Sequence, residues 1–390
     1  FLYSRSGDTS RGYRATQLDG RRVRFDILGN LRSIPIEGNV VIVMPIKRLA
    51  PAVFVEDSHR ISLRQVTVHH AGCMGLIAQT SSDIDLVDSA VVPSGDRFVS
   101  TNVDATHFVN CSGTITVDNC DFSHHIDDAL NVHGIYVRVK SRLDDHNLAV
   151  EFVDFQQRGV RCIRPGDLIS LADHETVDAY YSGLVEDADY LDDRDAIVTL
   201  SPEIPETLRE GDVLNVLTRQ ANVLFRNNKV GKNRARGILL KTLGQLIVEG
   251  NYFHSPGSAI RVSGGVNHWY ESGPTANVLI RNNVFDHCKY GVWGRTVIDV
   301  VCNDSGAGTS HPYHGSLAII DNEFRSHVAE LLLAHRVEHV IFKRNRILME
   351  PYKSAASPDT ATILLNKVVR KSVSDNDVSG ATELKVVSEA

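Results

Sequence analysis

Several features of common protein classes are missing from this 390-residue sequence. It has no apolar run of about 18 residues, so no membrane-spanning helix is predicted. Acidic residues outnumber basic ones by 48 to 41, and the net charge of −7 argues against a nucleic-acid partner and mildly against a strongly anionic polysaccharide. Hydrophobic residues make up 42% and charged residues 23%, so a large core is available and global disorder is not expected.

Cysteine is present, but its spacing defines neither a metal site nor a disulfide framework. The six cysteines include no C-x-x-C pair. A chain of this length does not depend on disulfides, so we expect most of them to be buried as small apolar residues. A bond between Cys111 and Cys120 is conceivable, and the sequence leaves it open.

The chain begins at Phe1 and shows no charged-then-apolar leader. Either a signal peptide has been removed or the sequence is a fragment, and the sequence does not distinguish the two. We expect a secreted or periplasmic protein.

A repeated motif runs through the second half of the chain. Each unit is a short stretch of alternating apolar residues that ends in an asparagine and a further apolar residue, as in Leu246–Phe253. The asparagines are Asn228, Asn251, Asn283, Asn322, Asn345 and Asn376. Their spacings, by subtraction 23, 32, 39, 23 and 31 residues, indicate a solenoid whose longer turns carry loops.

The pattern inside each unit predicts the type of solenoid. Alternation of apolar and polar residues is typical of strands, and a turn of three short strands at about 3.3 Å per residue needs a repeat of this length. An asparagine at a fixed place fits a stacked amide ladder at a bend, where asparagine also tolerates left-handed backbone geometry. The expected fold class is all-β: a right-handed parallel β-helix over residues 51–135 and 221–390.

The repeat is interrupted between residues 136 and 220, where short strand patterns alternate with turns. We expect an inserted antiparallel β-module there, resembling a small barrel. Residues 1–50 are expected to form an N-terminal β region or a cap for the open end of the solenoid. Strand patterns in it include Arg22–Asp26 and Val40–Met44.

Three aspartates mark the stretch that carries chemistry. Asp104 lies in Asn102–His107, and Asp127 and Asp128 lie in His124–Gly134. Asp104 and Asp128 are 24 residues apart, one turn of the solenoid, so we expect them to stack in neighbouring turns about 5 Å apart. Adjacent residues of a regular strand face opposite sides, so Asp127 can share their pocket only if the chain bends there.

Three carboxylates held this close repel one another, so at least one should have a raised pKa and hold a proton near neutrality. Glycoside hydrolysis needs both states, a protonated acid for the leaving oxygen and an ionised base for water. If acid and base lie about 6.5–9.5 Å apart, water fits between them and the anomeric centre inverts. A single aspartate would more often cap a turn, but the register of all three, flanked by His107, Asn131 and His133, favours a catalytic role.

Longer strings in the chain resemble a known family. The Asn-x-Asp, Asp-Asp and His-Gly arrangement resembles the polygalacturonase-type β-helix hydrolases, and the fuller strings resemble glycoside hydrolase family 110 more closely. The similarity runs over about residues 50–350. The strings are His70–Gln79, Asp104–Phe108, Asp127–Tyr136, Arg236–Thr242, Trp269–Pro274 and Arg281–Asn283.

The resemblance to family 110 implies a bacterial α-1,3-galactosidase that removes terminal galactose, as from blood-group-B-type glycans, with inversion and without a metal or other cofactor. An inserted β-barrel also fits that family. Carried over by motif, Asp127 is the general acid, and Asp104 and Asp128 are the bases that hold the water. Cys73 and Lys241 depart from the pattern, where a small residue and a serine are expected, and Lys241 puts the substrate range in doubt.

Seven further residues are candidate substrate contacts: His107, Asn131, His133, Lys241, Arg261, Trp269 and Glu271. An indole face stacks well on the apolar face of galactose, so Trp269 is a candidate platform, although a tryptophan in a loop as often anchors packing. His107 and His133 either bind substrate, orient a carboxylate or are structural. Arg261 falls in a turn register near Asn131 and either donates to sugar hydroxyls or is a surface arginine of the solenoid.

The sequence therefore predicts an exo-acting, inverting α-galactosidase whose partner is a galactose-terminated oligosaccharide or glycoconjugate. One alternative is a galacturonan hydrolase or polysaccharide lyase on the same fold. An anionic substrate needs a basic subsite, and Ile260–Ser263 has a single arginine where polygalacturonases have Arg-x-Lys. The other alternative is a non-catalytic glycan-binding spike, which leaves the adjacent pair Asp127 and Asp128 without an explanation.

Overall fold

The computed structural model describes residues 13–27, 36–40, 42, 48–303, 309, 311–353 and 355–389. Within these ranges the chain forms strands and no helix, and thus no helix with the length and hydropathy needed to cross a membrane. Most strands pair in parallel with the strand one turn away. The predicted all-β parallel solenoid is confirmed.

Three parallel sheets form the faces of the β-helix. Face 1 contains Val53–Glu56, Leu76–Gln79, Thr106–Val109, Leu130–Arg142, Ile238–Lys241, Ile260–Gly265, Ile298–Asn303, Glu330–Lys343, Thr360–Ser374 and Glu383–Glu389. Face 2 contains His59–Arg64, Ser82–Val87, Ser112–Asp118, Asn222–Arg226, Gln245–Glu249, Asn277–Arg281 and His314–Ile320, and the two long strands at 330–343 and 360–374 continue into it. Face 3 contains Thr67–Val68, Ala90–Val91, Asp121–Ser123, Lys229–Gly231, Tyr252–His254, Val284–Asp286, Glu323–Ser326, Arg346–Met349 and Asp377–Ser379.

The insert is an antiparallel barrel with a hydrophobic core of its own. Its strands pair in a closed circuit, which runs through the second part of Leu130–Arg142 and then through Asn147–Glu151, Asp195–Ser201, Ala179–Tyr190, Leu168–Ala172 and Val213–Val216. One strand belongs to both units: Leu130–His133 pairs in parallel on face 1, and Tyr136–Arg142 pairs within the barrel. This shared strand fixes the barrel beside face 1.

The N-terminal region contains an antiparallel pair of strands, Tyr13–Gln17 and Val23–Ile27. The strand expected at Val40–Met44 lies largely outside the described residues. A short strand, Glu271–Ser272, pairs antiparallel with Gly134 and Ile135 beside face 1.

An asparagine ladder lines the interior, as the repeat predicts. The Nδ2 atom of each of the first five asparagines donates to Oδ1 of the next one, from Asn228 to Asn376, at 2.9–3.1 Å. Phenylalanines form a column with ring centroids 4.8–6.2 Å apart: Phe122, Phe225, Phe253, Phe285, Phe324 and Phe342. Burying each such ring contributes about 1.5–3 kcal/mol, so the repeat stabilises the solenoid turn by turn.

Left-handed backbone geometry falls on the residue before the ladder asparagine and not on the ladder asparagine itself. Asn227, Asn282 and Asp321 have φ angles of 56°, 55° and 57°. The bend is therefore made one residue earlier than expected, which leaves the next side chain pointing inward, where its amide can stack.

All six cysteines are buried, as expected for small apolar residues. Cys111 and Cys120 do not bond to each other. The Cys111 thiol contacts the carbonyl of Ala78 at 3.6 Å, and the Cys120 thiol contacts the carbonyl of Leu86 at 3.5 Å.

Candidate active site

Asp104, Asp128 and Arg236 occupy equivalent positions in three successive turns. The strands that follow them pair Thr106 with Leu130 and Leu130 with Ile238. The backbone N–H of Asp128 donates to Asp104 Oδ1 at 3.1 Å. The spacing of 24 residues thus stacks the two aspartates in neighbouring turns, as expected.

Asp127 lies in a bend of the chain before the strand that begins at Leu130. This is the bend that the prediction required. One oxygen from each of Asp104, Asp127 and Asp128, called the triad below, lies within 4.8 Å of the others. The Asp127 side chain is 27% exposed, whereas those of Asp104 and Asp128 are 7% and 2% exposed. The nearest oxygens of the triad therefore lie closer together than the separation of about 6.5–9.5 Å given above for whole acid and base groups, and the inverting separation stays a prediction.

Arg236 holds Asp128 with a two-pronged ion pair that the sequence prediction did not include. Its Nε donates to Asp128 Oδ1 at 3.1 Å, its Nη2 donates to Oδ2 at 2.8 Å, and its backbone N–H donates to Oδ1 at 2.9 Å. The same Nη2 lies 3.8 Å from Asp127 Oδ1. The barrel separates Arg236 from Asp128 by 108 residues, which hides their relation. Aligning Leu130–His133 with Ile238–Lys241 as successive turns would have found it.

The triad holds fewer negative charges than it has carboxyl groups. Burial raises the pKa of Asp104 to about 8, and the charge of Asp127 adds to the shift. Burial also raises the pKa of Asp128 to about 8, against the opposing charge of Arg236. A proton on one carboxyl relieves the repulsion on its neighbours, so the triad titrates as a unit and retains a proton near neutrality.

His107 and His133 link Asp104 to the backbone. His107 Nδ1 lies 2.6 Å from Asp104 Oδ2, and His107 Nε2 lies 2.8 Å from His133 Nε2. His133 Nδ1 lies 2.7 Å from the carbonyl oxygen of Gly134. Burial lowers the pKa of each histidine to about 4, so both rings favour the neutral form at neutral pH.

Lys241 and Glu271 form a buried ion pair beside these histidines. Lys241 is the strand partner of His133 on the next turn, which explains its place in the site. Glu271 Oε1 accepts a hydrogen bond from Asn131 Nδ2 at 3.3 Å and lies 3.5 Å from His133 Nε2. Burial alone would raise the pKa of Glu271, but the charge of Lys241 holds it well below its ordinary value.

Arg261 lies on face 1 in the row that contains His107 and Asn131. The row runs through the strand partners His107, Asn131, Leu239, Arg261 and Asp299. Arg261 Nη1 lies 3.2 Å from the buried carboxylate of Asp299. Although burial lowers the pKa of Arg261, the adjacent carboxylate favours its charged form.

All ten residues predicted for the site line one cavity of about 800 Å³. The barrel supplies part of its wall through residues 154–157. Gln157 Nε2 donates to the backbone oxygen of Trp269 at 2.7 Å, and the Arg48 guanidinium lies 5.8 Å from the Trp269 ring centroid. Trp269 is 39% exposed and lines the cavity. Arg48 and residues 154–157 also line the cavity. The sequence did not predict them, because they lie outside the repeat.

Some acidic and histidine side chains lie close enough together to be considered as ligands of a metal ion. In the described part of the chain, three such clusters bring donor atoms within 4.8 Å of one another: the triad; His107, His133 and Glu271; and Asp173, His174 and Asp212 in the barrel. In the first two, a basic side chain already contacts the carboxylate, Arg236 in the triad and Lys241 at Glu271. A positive side chain at that position repels a metal cation. That the chain works without a metal stays a prediction.

Two family models match the chain. One, described as GLAA-B beta-barrel domain II, matches residues 147–214. The other, described as a right handed beta helix region, matches residues 214–347. The chain is therefore a right-handed β-helix protein with an inserted barrel of the GLAA-B type.

Curated relatives match most of the chain. It is 36% identical over 323 residues to alpha-1,3-galactosidase A of Shewanella woodyi. The aligned residues cover 82% of this chain and 53% of that relative. It is 29% identical over 381 residues to alpha-1,3-galactosidase B of Bacteroides thetaiotaomicron, with 95% of this chain and 62% of the relative covered. It is 33% identical over 358 residues to alpha-1,3-galactosidase B of Bacteroides fragilis, with 85% of this chain and 59% of the relative covered. The chain spans just over half to about three-fifths of the length of these relatives. It is a homologue of the proteins named alpha-1,3-galactosidase, and the resemblance to glycoside hydrolase family 110 is confirmed.

Proposed function

We propose that this chain contains the active site of an exo-acting α-1,3-galactosidase that releases terminal galactose from oligosaccharides or glycoconjugates. The observation that carries the proposal is the triad, three carboxyl groups that share a retained proton at one cavity. The names of the homologues supply the linkage and the sugar. A secreted or periplasmic location is part of the proposal.

The three carboxyl groups have different roles in this mechanism. Asp127 is the most exposed of the three and donates a proton to the glycosidic oxygen of the leaving group. Asp104 and Asp128 are nearly fully buried and fixed by hydrogen bonds, and together they hold the water that attacks the anomeric carbon. Arg236 keeps Asp128 aligned, and as the bond to the leaving group breaks, the water gives its proton to one of these two bases.

Inversion is the stereochemical outcome that we propose. Its support is the fixed pair of buried carboxylates, because a pair joined to His107, to Arg236 and to a backbone N–H is built to position water rather than to move onto a sugar carbon. The short distance between the triad oxygens favours retention instead, since retaining enzymes place their carboxyl groups about 5–5.5 Å apart.

A neutral sugar suits this cavity better than a uronate. Arg236, Lys241 and Arg261 each already contact a carboxylate of the protein, Asp128, Glu271 and Asp299 respectively. A substrate carboxylate would have to compete with these buried pairs. Hydroxyl groups of galactose can instead bond to the remaining donor and acceptor positions of such pairs, and an exposed indole can stack on the sugar ring.

Proton NMR of the reaction mixture tests the proposal. The chain is incubated with a linear α-1,3-linked galactoside, a fucosylated branched α-1,3-galactoside and polygalacturonate. We expect β-galactose as the first product from one or both galactosides. First-formed α-galactose would contradict inversion, release from polygalacturonate alone would favour the galacturonan enzyme, and binding of a galactoside without turnover would favour the glycan-binding spike.

A further inference from the structure

The hydrogen-bonded side chains Asp104, His107 and His133, called the proton chain below, hold a fixed number of protons. The Gly134 carbonyl oxygen only accepts, so His133 Nδ1 carries a hydrogen. The 2.8 Å contact between the two Nε2 atoms needs one hydrogen, and the 2.6 Å contact between His107 and Asp104 needs another. Two neutral imidazoles and a carboxylate supply only two hydrogens in all, so the proton chain holds one proton more.

The additional proton has two positions at the ends of the proton chain that satisfy every contact. In the first state, Asp104 is protonated and donates to His107 Nδ1, and His107 Nε2–H donates to His133 Nε2. In the second state, Asp104 is ionised, His107 Nδ1–H donates to it, and His133 carries both of its hydrogens.

Two proton transfers connect these states. One proton moves from Asp104 Oδ2 to His107 Nδ1, and another moves from His107 Nε2 to His133 Nε2. Asp104 thereby gains a negative charge and His133 a positive charge, while the total is unchanged. No side chain has to rotate, because each proton moves along an existing hydrogen bond.

We propose that the proton chain moves the proton of Asp104 onto His133 during turnover, so that Asp104 is ionised when it accepts a proton from the attacking water. The inference rests on the proposed function, because it concerns the base of that reaction. His107 and His133 are then positioning residues that set the charge of Asp104. A protonated Asp104 could not act as a base, which is the difficulty that the proton chain removes.

Charges at the His133 end make the second state accessible. The Glu271 carboxylate lies 3.5 Å from His133 Nε2 and favours a positive ring there. Burial of His133 is the main effect that opposes this positive charge, and Lys241, paired with Glu271, adds to it, so the positive ring is not the resting state.

Charges at the Asp104 end set the resting state. Burial and the charge of Asp127 favour a proton on Asp104, whereas Arg48 and Arg236 oppose it. Burial also favours neutral rings in both histidines. In the proposed reaction Asp127 carries the proton that it will donate to the leaving group, so at that stage its negative charge does not hold the proton on Asp104.

His133→Gln tests the relay by kinetics. The glutamine oxygen can accept the hydrogen bond from His107, but the amide cannot take a proton, so Asp104 must lose its proton to solvent. We expect kcat of H133Q to fall about tenfold per unit below about pH 8, the slope of one required ionisation. Over about two pH units below pH 8, kcat of the wild type should vary by less than about threefold, because its proton moves internally.

His314→Gln is the matched control. His314 is also a buried histidine with a pKa lowered to about 4, and it contacts Thr275 and the Val301 carbonyl outside the cavity. Its variant should keep the wild-type pH profile. An H133Q profile parallel to that of the wild type would overturn the proposal and leave His133 a structural residue.

Nitrogen NMR of the imidazole rings tests the proton count without turnover. In the unliganded wild type near neutral pH we expect His133 protonated at Nδ1 and His107 protonated at Nε2. Asp104→Asn should hold His107 in that state at all pH values, because the amide donates to Nδ1 and cannot ionise. Two rings that titrate independently near their ordinary pKa would refute the proton chain even if the galactosidase activity is present. The expected NMR pattern in a protein that releases no galactose would instead count against the proposed function alone.

Discussion

Replacing Arg236 by methionine tests the charge balance of the triad. The Arg236 side chain gives Asp128 two charge-assisted hydrogen bonds, at 3.1 and 2.8 Å, and its backbone N–H gives a third that any replacement retains. Methionine keeps the length of the side chain but has neither the charge nor the donors. The substitution therefore removes the cation from a group of three carboxyls and changes little else.

The size of the effect follows from these contacts. Hydrogen bonds to a charged group contribute about 1.5–3 kcal/mol each, and removing one partner of a buried pair costs about 3–5 kcal/mol. At about 1.4 kcal/mol per pKa unit, a loss of about 3 kcal/mol raises the pKa of Asp128 by about two units more. Asp128 is then harder to ionise. The stability lost by the variant is greatest above about pH 8, where wild-type Asp128 is ionised, and smaller near pH 6, where it is protonated in both proteins.

Urea unfolding at about pH 6 and pH 9 measures this difference. We expect the free energy of unfolding of R236M to fall below that of the wild type by about 1–1.5 kcal/mol more at the higher pH, because pH 9 lies about one unit above the pKa of wild-type Asp128 and one unit corresponds to about 1.4 kcal/mol. Galactose release at neutral pH should fall at least about 100-fold, because Asp128 loses its alignment and a pKa raised by about two units lowers its ionised fraction at pH 7 about 100-fold. Arg226→Met is the control, since Arg226 pairs with Asp118 on face 2, outside the cavity, and is 41% exposed. An equal loss of stability at both pH values, with activity retained, would refute the role given to Arg236.

Three further substitutions test other parts of the structure. Asp127→Asn should lower hydrolysis of terminal α-galactosides by about 100- to 10,000-fold at an unchanged unfolding midpoint, and near-normal turnover would remove Asp127 as the acid. Lys241→Ser leaves Glu271 buried without its cation and should lower the free energy of unfolding by about 3–5 kcal/mol in denaturant titrations. The double variant K241S/E271Q should recover part of this loss. A double variant as unstable as K241S would contradict the importance of the pair. Asn283→Ala leaves the Asn251 N–H and the Val248 carbonyl without their partner and should cost about 2–5 kcal/mol, whereas a loss below about 0.5 kcal/mol would show that the ladder contributes little.

The periodic part of the molecule could be predicted because spacing alone determines it. A distance of 24 residues on a 23-residue base period was sufficient to stack Asp104 on Asp128, and the asparagine spacing was sufficient to predict the amide ladder. The bend at Asp127 had to be assumed, since adjacent residues in a strand face opposite ways. The position of the left-handed residue was misjudged by one, because an asparagine whose amide stacks inside the coil cannot also make the turn.

The parts that could not be predicted lie where the chain leaves its period. Arg236 follows Asp128 by one turn in space but by 108 residues in sequence, because the barrel is inserted between them. Arg48 precedes the described coils, and residues 154–157 come from the barrel, so no repeat relates either to the cavity. The direction of the hydrogen bonds between His107 and His133 is likewise invisible in a pattern of residue types, because it depends on which partner each ring nitrogen has.

Charge pairing between successive turns explains how a stacked fold can keep so many ionic groups in one cavity. Strands of a sheet lie about 4.8 Å apart, so like charges on consecutive turns would repel strongly in a buried setting. The chain places Asp128 beside Arg236 and Arg261 beside Asp299 instead, each pair one turn apart. Asp104 and Asp128 break this alternation, with two acids on consecutive turns and a third beside them. Burial, together with the repulsion concentrated there, retains the proton on which the proposed acid–base chemistry depends. The paired charges elsewhere leave the rest of the cavity suited to an uncharged sugar.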